Sequence, residues 1–434
     1  MTPLLLFASL VAVAPPIVIQ SARIEVGNGQ VIPVGNIVIQ DDKIVAVGPD
    51  VQVPAGATVI NGAGLTVYPG FIDAYSTSGL KLPTPLASGT KQPDTRNTAP
   101  ATMWKENRRG NRADVKAVMH LDLKAPYGDR QENGVTSLLL SSGDGTISGT
   151  AGIVNLGAEP KVLAGEVATE INFRSTGGFR GGDEMAGGQG RQQTPAADPG
   201  YAYPQTPFGV FALLRQTLYD AKAYAAKTPS KADPSYEGLK PLVTGKIPAL
   251  YSIANSRDIA RAARYAEEFG YKFIVNGGID TYRMIPTLKK HSVPVVVNLD
   301  FTDEPTRKVG EGRDATPAAV LEDRWKTWNE RNANAKLLSQ AGIPLAFRGS
   351  LGSKGYLGGV RKAISYGVPR DVALRSMTLG AAEIFGVGDK VGSIEPGKLA
   401  NLVLMNGDFA VESKTVVSVI VEGKQIVVGA KPAK

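Results

Sequence analysis

The chain has 434 residues, 43% of them hydrophobic and 20% charged, which is the balance of an ordinary folded globular protein and excludes a disordered or fibrous one. Its formal charge of +8 suits anionic surfaces, but the local run of Lys105, Arg108, Arg109, Arg112 and Lys116 is broken by Asn and Gly rather than by aromatics, so it reads as a solvated face and not as a nucleic-acid interface. The absence of cysteine excludes disulfides, thiolate nucleophiles and Cys metal ligands.

Residues 1–16 open with an apolar run from Leu4 to Ala14 that ends in an Ala-x-Ala-like step at Ala12 to Ala14. This reads as a short signal peptide and implies a periplasmic or secreted protein. A basic leader is missing and Pro15 follows the candidate cleavage bond. No later segment is long and apolar enough to span a bilayer. From Ile17 to Val67, β-branched runs (IVIQSARIEV, NIVIQ, KIVAV, TVI) alternate with Gly, Asn, Asp and Pro turns, as in a small sheet. A matching set closes the chain: NLVLM near Leu402, TVVSVIVEG from Thr415 and QIVV from Gln425. Both termini are therefore expected to build one domain around an inserted α/β middle.

In that middle, VTSLLLS from Val135, KIPALYSI from Lys246, YKFIVNG from Tyr271, VPVVVNL from Val293 and IPLAFRG from Ile343 are candidate strands. Helical patterns lie between them, such as DIARAARYAEEFG from Asp258, which stops at Gly270. The alternation predicts a parallel sheet or barrel. Residues 174–205 are rich in Gly, Gln, Pro and Ala and read as a flexible surface excursion, with a lid over a pocket as the alternative.

Two stretches carry a family likeness. GAGLTVYPGFIDAYSTSG runs from Gly62 to Gly79, and TLGAAEIFGVGDKVGSIEPGKLANLVLMNGD runs from Thr378 to Asp408, with Gly392, Ile394, Gly397 and Lys398 in the expected places. Together they resemble the amidohydrolase superfamily, close to secreted relatives of imidazolonepropionase, over nearly the whole chain after about Val18. The resemblance implies a TIM-like (β/α)8 barrel, residues 69–388, inserted in a small β-sandwich domain made of residues 17–68 and 389–434. It also implies zinc chemistry at the barrel mouth, in which metal-bound water is the nucleophile.

The positions that would hold the metal are altered. Where the family has His-x-His on the first barrel strand, this chain has Tyr75 and Thr77, and neither a phenol nor an alcohol is a good zinc ligand at neutral pH. Aligned on Pro248 and Asp258, the next histidine position is Ser252, the following one is Gly277, and the metal-binding aspartate is replaced by Ser350 or its neighbour Arg348. Closing the motif, Asn401 stands after Ala400 where Asp is usual, a change expected to affect only local hydrogen bonds.

Of the two histidines, His120 precedes the second barrel strand and reads as structural, while His291 enters a strand at the bottom of the barrel and reads as surface. Asp73 survives in PGFID and reads as orienting backbone, with ligand binding, alongside Arg348, as its other candidate role. Asp300, Asp303 and Glu304 follow a strand on the functional face and are candidates for a cation or basic ligand, against a solvated loop. The expected function is thus a pseudoenzyme without metal or other cofactor. It would bind a small molecule at the barrel mouth, or assemble as a homo-oligomer or with an intact relative. The alternative is a hydrolase of non-peptide C–N bonds, in cyclic amides or dipeptide-like substrates, with relocated residues Tyr75, Ser252, Arg348 and Asp303.

Overall fold

The structure is a computed structural model that describes residues 14–83, 110–173, 206–227, 232–308, 316–349 and 355–428. Most of the leader, the 174–205 segment and Ser350 lie outside the described residues. The strands in chain order are β1 (Ile17–Glu25), β2 (Val31–Gln40), β3 (Lys43–Gly48), β4 (Thr58–Asn61), β5 (Thr66–Pro69), β6 (Phe71–Ser76), β7 (Val135–Leu140) and β8 (Ile147–Asn155). They continue as β9 (Lys161–Asn172), β10 (Ala249–Ile253), β11 (Phe273–Gly277), β12 (Val295–Asn298), β13 (Leu345–Arg348), β14 (Leu402–Met405), β15 (Val416–Val421) and β16 (Lys424–Val427).

One sheet runs β16-β15-β14-β5-β1-β2-β3, with β4 pairing β1. Strands from both ends of the chain meet where β14 lies antiparallel to β5, Leu402 opposite Pro69. Ile19, Ile24, Ile37, Ile39, Val67, Leu402 and Ile420 form its core, supplied by the β-branched runs that marked these strands in the sequence. The chain leaves this sheet at Gly70. A Cβ there would stand 2.0 Å from Thr136 Oγ1, so only glycine fits the crossing.

The second sheet runs β13-β12-β11-β10-β9-β8-β7-β6, and β13 packs against β6 to close a (β/α)8-like barrel. Helices such as Arg257–Phe269, ended by left-handed Gly270 at φ 80°, pack on its outside. One strand departs from the all-parallel pattern: β8 is antiparallel to both neighbours. The turn between β7 and β8 contains Gly143 and Gly145 at positive φ, and so short a connection can only make a hairpin.

Inside the barrel, alternation sets the chemistry. Ala74, Leu139, Ala168, Leu250, Ile274, Val296 and Ala346 form one aliphatic layer. Two residues further along their strands stand Ser141, Glu170, Ser252, Asn276, Asn298 and Arg348, so the same inward period changes from apolar to polar at the mouth. At the opposite end Ala381, Ala382 and Phe385 cap the aliphatic layer from below.

Candidate functional site

Glu170 is the centre of the mouth. It is fully buried, and its Oε1 accepts from Tyr75 Oη at 2.9 Å and from Ser252 Oγ at 2.6 Å. Its Oε2 accepts from Ser141 Oγ and from the Gly143 N–H at 3.2 Å. A buried carboxylate is tolerable only with such compensation. Asn276 extends the network by donating to Ser252 Oγ at 2.8 Å, and Arg348 Nη1 donates to Asn276 Oδ1 at 3.3 Å. The Arg348 guanidinium also lies 5.2 Å from the centre of the Tyr75 ring. Burial, reinforced by the neighbouring Glu170 charge, pushes the Tyr75 phenol far above its usual range, so it stays neutral at physiological pH.

Two expected site positions thus join this cluster, Tyr75 and Ser252, with Arg348 at its edge. Others do not. Thr77 lies just beyond β6 and is exposed. Gly277 adopts φ +88°, with an added Cβ 3.1 Å from the Ile253 carbonyl oxygen; the backbone there is left-handed, which disfavours any side chain. The inward residue of β11 is its neighbour Asn276.

Asp73 is a closure element, with both carboxyl oxygens engaged across the barrel wall. Its Oδ1 accepts the Gly349 N–H at 2.8 Å, while Oδ2 pairs with Arg130 Nη1. Tyr356 adds a hydrogen bond from its hydroxyl to the Ile72 carbonyl at 2.8 Å. The first barrel strand is therefore tied to the segment after the last one by side chains. Burial raises the Asp73 carboxyl above its usual range, opposed by Arg130 and the amides that bond it.

The acidic loop after β12 also has a structural role. Asp300, Asp303 and Glu304 are exposed. Glu304 accepts from Trp325 Nε1 at 2.7 Å, and Trp328 Nε1 donates to the Thr302 carbonyl at 2.9 Å, which pins this loop to the helix Ala318–Asn332. Asp300 accepts from Asn298 Nδ2 at 3.1 Å. Among the described residues no group of three or more His, Cys, Asp or Glu side chains converges as a metal site would require. His120 ends a 3-10 turn, Ala117–His120, and its carbonyl accepts the Lys81 N–H at 2.8 Å. His291 stands at the bottom of the barrel as expected but is not simply surface: its side chain is 17% exposed, with Nε2 3.5 Å from Glu267.

Asn401 does more than adjust local hydrogen bonds. Its Nδ2 donates to Asn155 Oδ1 at 3.0 Å on β8, and its Oδ1 accepts the Glu422 N–H at 2.9 Å, so it links the terminal sheet to the barrel.

Residues 303–426 match the model of the amidohydrolase family. An amidohydrolase from Thermotoga maritima is similar in structure over 95% of this chain and 100% of its own, with a TM-score of 0.69 and 21% identity. The fold is the one these amidohydrolases share, and the family's sequence pattern is present in residues 303–426. Two further solved structures share the fold, each covering 95% of this chain and 100% of its own: a prolidase complexed with N-methylphosphonate-L-proline and a Xaa-Pro dipeptidase with bound methionine, both at TM-score 0.52 and 17% identity. No curated protein matches the sequence.

Within this barrel, sequence reasoning missed Glu170, Ser141, Asn276 and Arg130. For Glu170 a signal existed. It is the one charged residue in VATEIN, an otherwise uncharged stretch at the end of a strand, and a charge in that position points into a barrel mouth as readily as to solvent.

Proposed function

We propose that this chain is an amidohydrolase-fold protein that no longer performs metal-dependent hydrolysis and uses its barrel mouth to hold a small ligand or to assemble with a second chain. The observation that carries this reading is the state of Glu170: three hydroxyls and an amide donate to its two oxygens. Zinc needs three or four anionic or imidazole donors in one shell. The side chains here do not fit it, because the carboxylate is already engaged and the Tyr75 phenol is held neutral. Arg348 makes no ion pair among the described residues and its Nε lacks a hydrogen-bond partner, so an anionic group on a ligand has a counter-charge there. The leader-like start supports export.

Metal analysis of purified chain, together with a panel of Xaa-Pro dipeptides and cyclic amides, tests this reading. The expected result is less than a tenth of an equivalent of zinc and no hydrolysis above a boiled control. One or two equivalents of tightly held zinc with turnover would overturn it.

One contact favours the relocated-hydrolase alternative, the 2.6 Å bond from Ser252 Oγ to Glu170 Oε1, which has the form of a nucleophile beside a base. If any substrate of the panel is turned over without zinc, loss of that turnover in Ser252→Ala selects this alternative.

A further inference from the structure

At the end of the barrel opposite the mouth lies a cavity of about 670 Å³, within the range of roughly 300–1,000 Å³ usual for small-molecule sites. It opens where β10 to β13 begin. Three of these strands start directly behind a proline, Pro248, Pro294 and Pro344, and all three prolines line the cavity. Their carbonyls are used inside the sheet, accepting the N–H groups of Thr169, Val275 and Val295 at 2.9, 3.1 and 2.9 Å. Proline has no N–H to offer. The wall therefore presents ring carbons of fixed geometry, joined by Phe273, Ile343 and Ile384, and an apolar body can enter without stranding backbone donors.

The charges at its edge do not balance. Arg375 and Glu383 neutralise each other at 2.5 Å, and His291 faces Glu267 at 3.5 Å, a carboxylate it shares with Lys290. Lys272 is exposed on the cavity wall and makes no ion pair among the described residues.

We propose that this cavity is a second ligand site, for an amphipathic monoanion: a compact apolar body on the proline floor with its acid group against Lys272. It is independent of what the mouth does.

The test is a fluorescence titration of the full chain with 8-anilinonaphthalene-1-sulfonate, using decanoate and decanol as competitors. One probe molecule per chain is expected, displaced by decanoate about threefold more effectively than by decanol, the scale of one exposed ion pair. Lys272→Glu should erase that preference. Ile384→Trp and, separately, Val372→Trp fill the cavity and should weaken the probe roughly tenfold, as expected when buried apolar area is lost to the ligand. Each filled variant is compared with wild type by thermal unfolding, so that probe binding to a loosened fold is recognised. Arg348→Ala, at the other end, should leave the titration unchanged. The proposal is overturned by absence of stoichiometric binding, by unchanged binding in both filled variants, by equal competition from acid and alcohol, or by loss of binding in Arg348→Ala.

Discussion

At the upper end of the barrel the strands finish in Ser141, Glu170, Ser252, Asn276 and Arg348, and these side chains bond mainly to one another. At the lower end β10, β12 and β13 begin behind prolines, which line an open cavity together with Phe273, Ile343 and Ile384, while Lys272, Arg375 and Glu383 supply charge there. Enzymes on this fold place their chemistry at the upper end and leave the lower one to stability. Here the upper end carries a hydrogen-bond network in which Arg348 keeps an unpaired charge, and a second cavity opens at the floor. The teaching of this contrast is that fold predicts where a site can be, while donors and acceptors left over after folding decide whether one remains.

The strongest way to break the contrast is to ask whether the mouth's polar groups hold the barrel together. Asp73→Ala removes the acceptor for Gly349 N–H and leaves Arg130 its bond to Ser76 Oγ but no counter-charge. Loss of one member of a buried pair costs about 3–5 kcal/mol. The urea midpoint of the variant should fall accordingly with the slope preserved; an unchanged midpoint would show that closure between β6 and β13 rests elsewhere.

Glu170→Gln is next, at about 2 kcal/mol, because charge-assisted bonds from Tyr75, Ser141 and Ser252 become neutral ones and one amide N–H2 faces hydroxyl donors. The sign is the informative part. A carboxylate kept for ligand or metal chemistry is commonly a burden on stability, and its replacement stabilises. A higher unfolding midpoint for Glu170→Gln would therefore turn the mouth back into an active site.

The reasons some of this was readable in advance are physical. The runs around Ile19, Ile37, Val135, Val295 and Leu345 are β-branched or aliphatic, and they became strands where expected. β8 and β9 were missed because ISGTAGIVN and KVLAGEVATEIN are built from Gly, Ala, Ser and Thr as much as from large apolar residues. Their burial comes from neighbouring strands rather than from hydrophobic pattern. With β9 unread, Glu170 had no place in the barrel. Alignment to the family placed Gly277 in the site, one residue from inward-facing Asn276, since a positive φ at the strand end turns the chain there. Tyr75 and Ser252 were found, but their shared partner was not.

That positive φ gives a third prediction. Gly277→His restores the residue type of the family position, yet a side chain at φ +88° costs about 1–2 kcal/mol, and its Cβ would crowd the Ile253 carbonyl at 3.1 Å. Calorimetry should show the loss, and zinc content should not rise above that of wild type. A histidine variant that gained a stoichiometric ion without destabilisation would mean that the mouth is nearer to a metal site than its hydrogen bonds imply.

The smallest effect is expected at the acidic loop, where the contrast can be sharpened from outside the barrel. Trp325→Phe keeps the ring and removes the N–H that reaches Glu304 at 2.7 Å. Because the bond is exposed, its loss should cost no more than about 1 kcal/mol. The helix Ala318–Asn332 buries only Leu321 and Asn332, so the indole bonds to Glu304 and Thr302 are a large part of what holds the loop against it. Amide exchange should then accelerate around residues 302–306 while the strands around Glu170 stay protected, since local opening does not require global unfolding. Exchange that spread into β10 and β11 would show that the acidic loop is coupled to the mouth network.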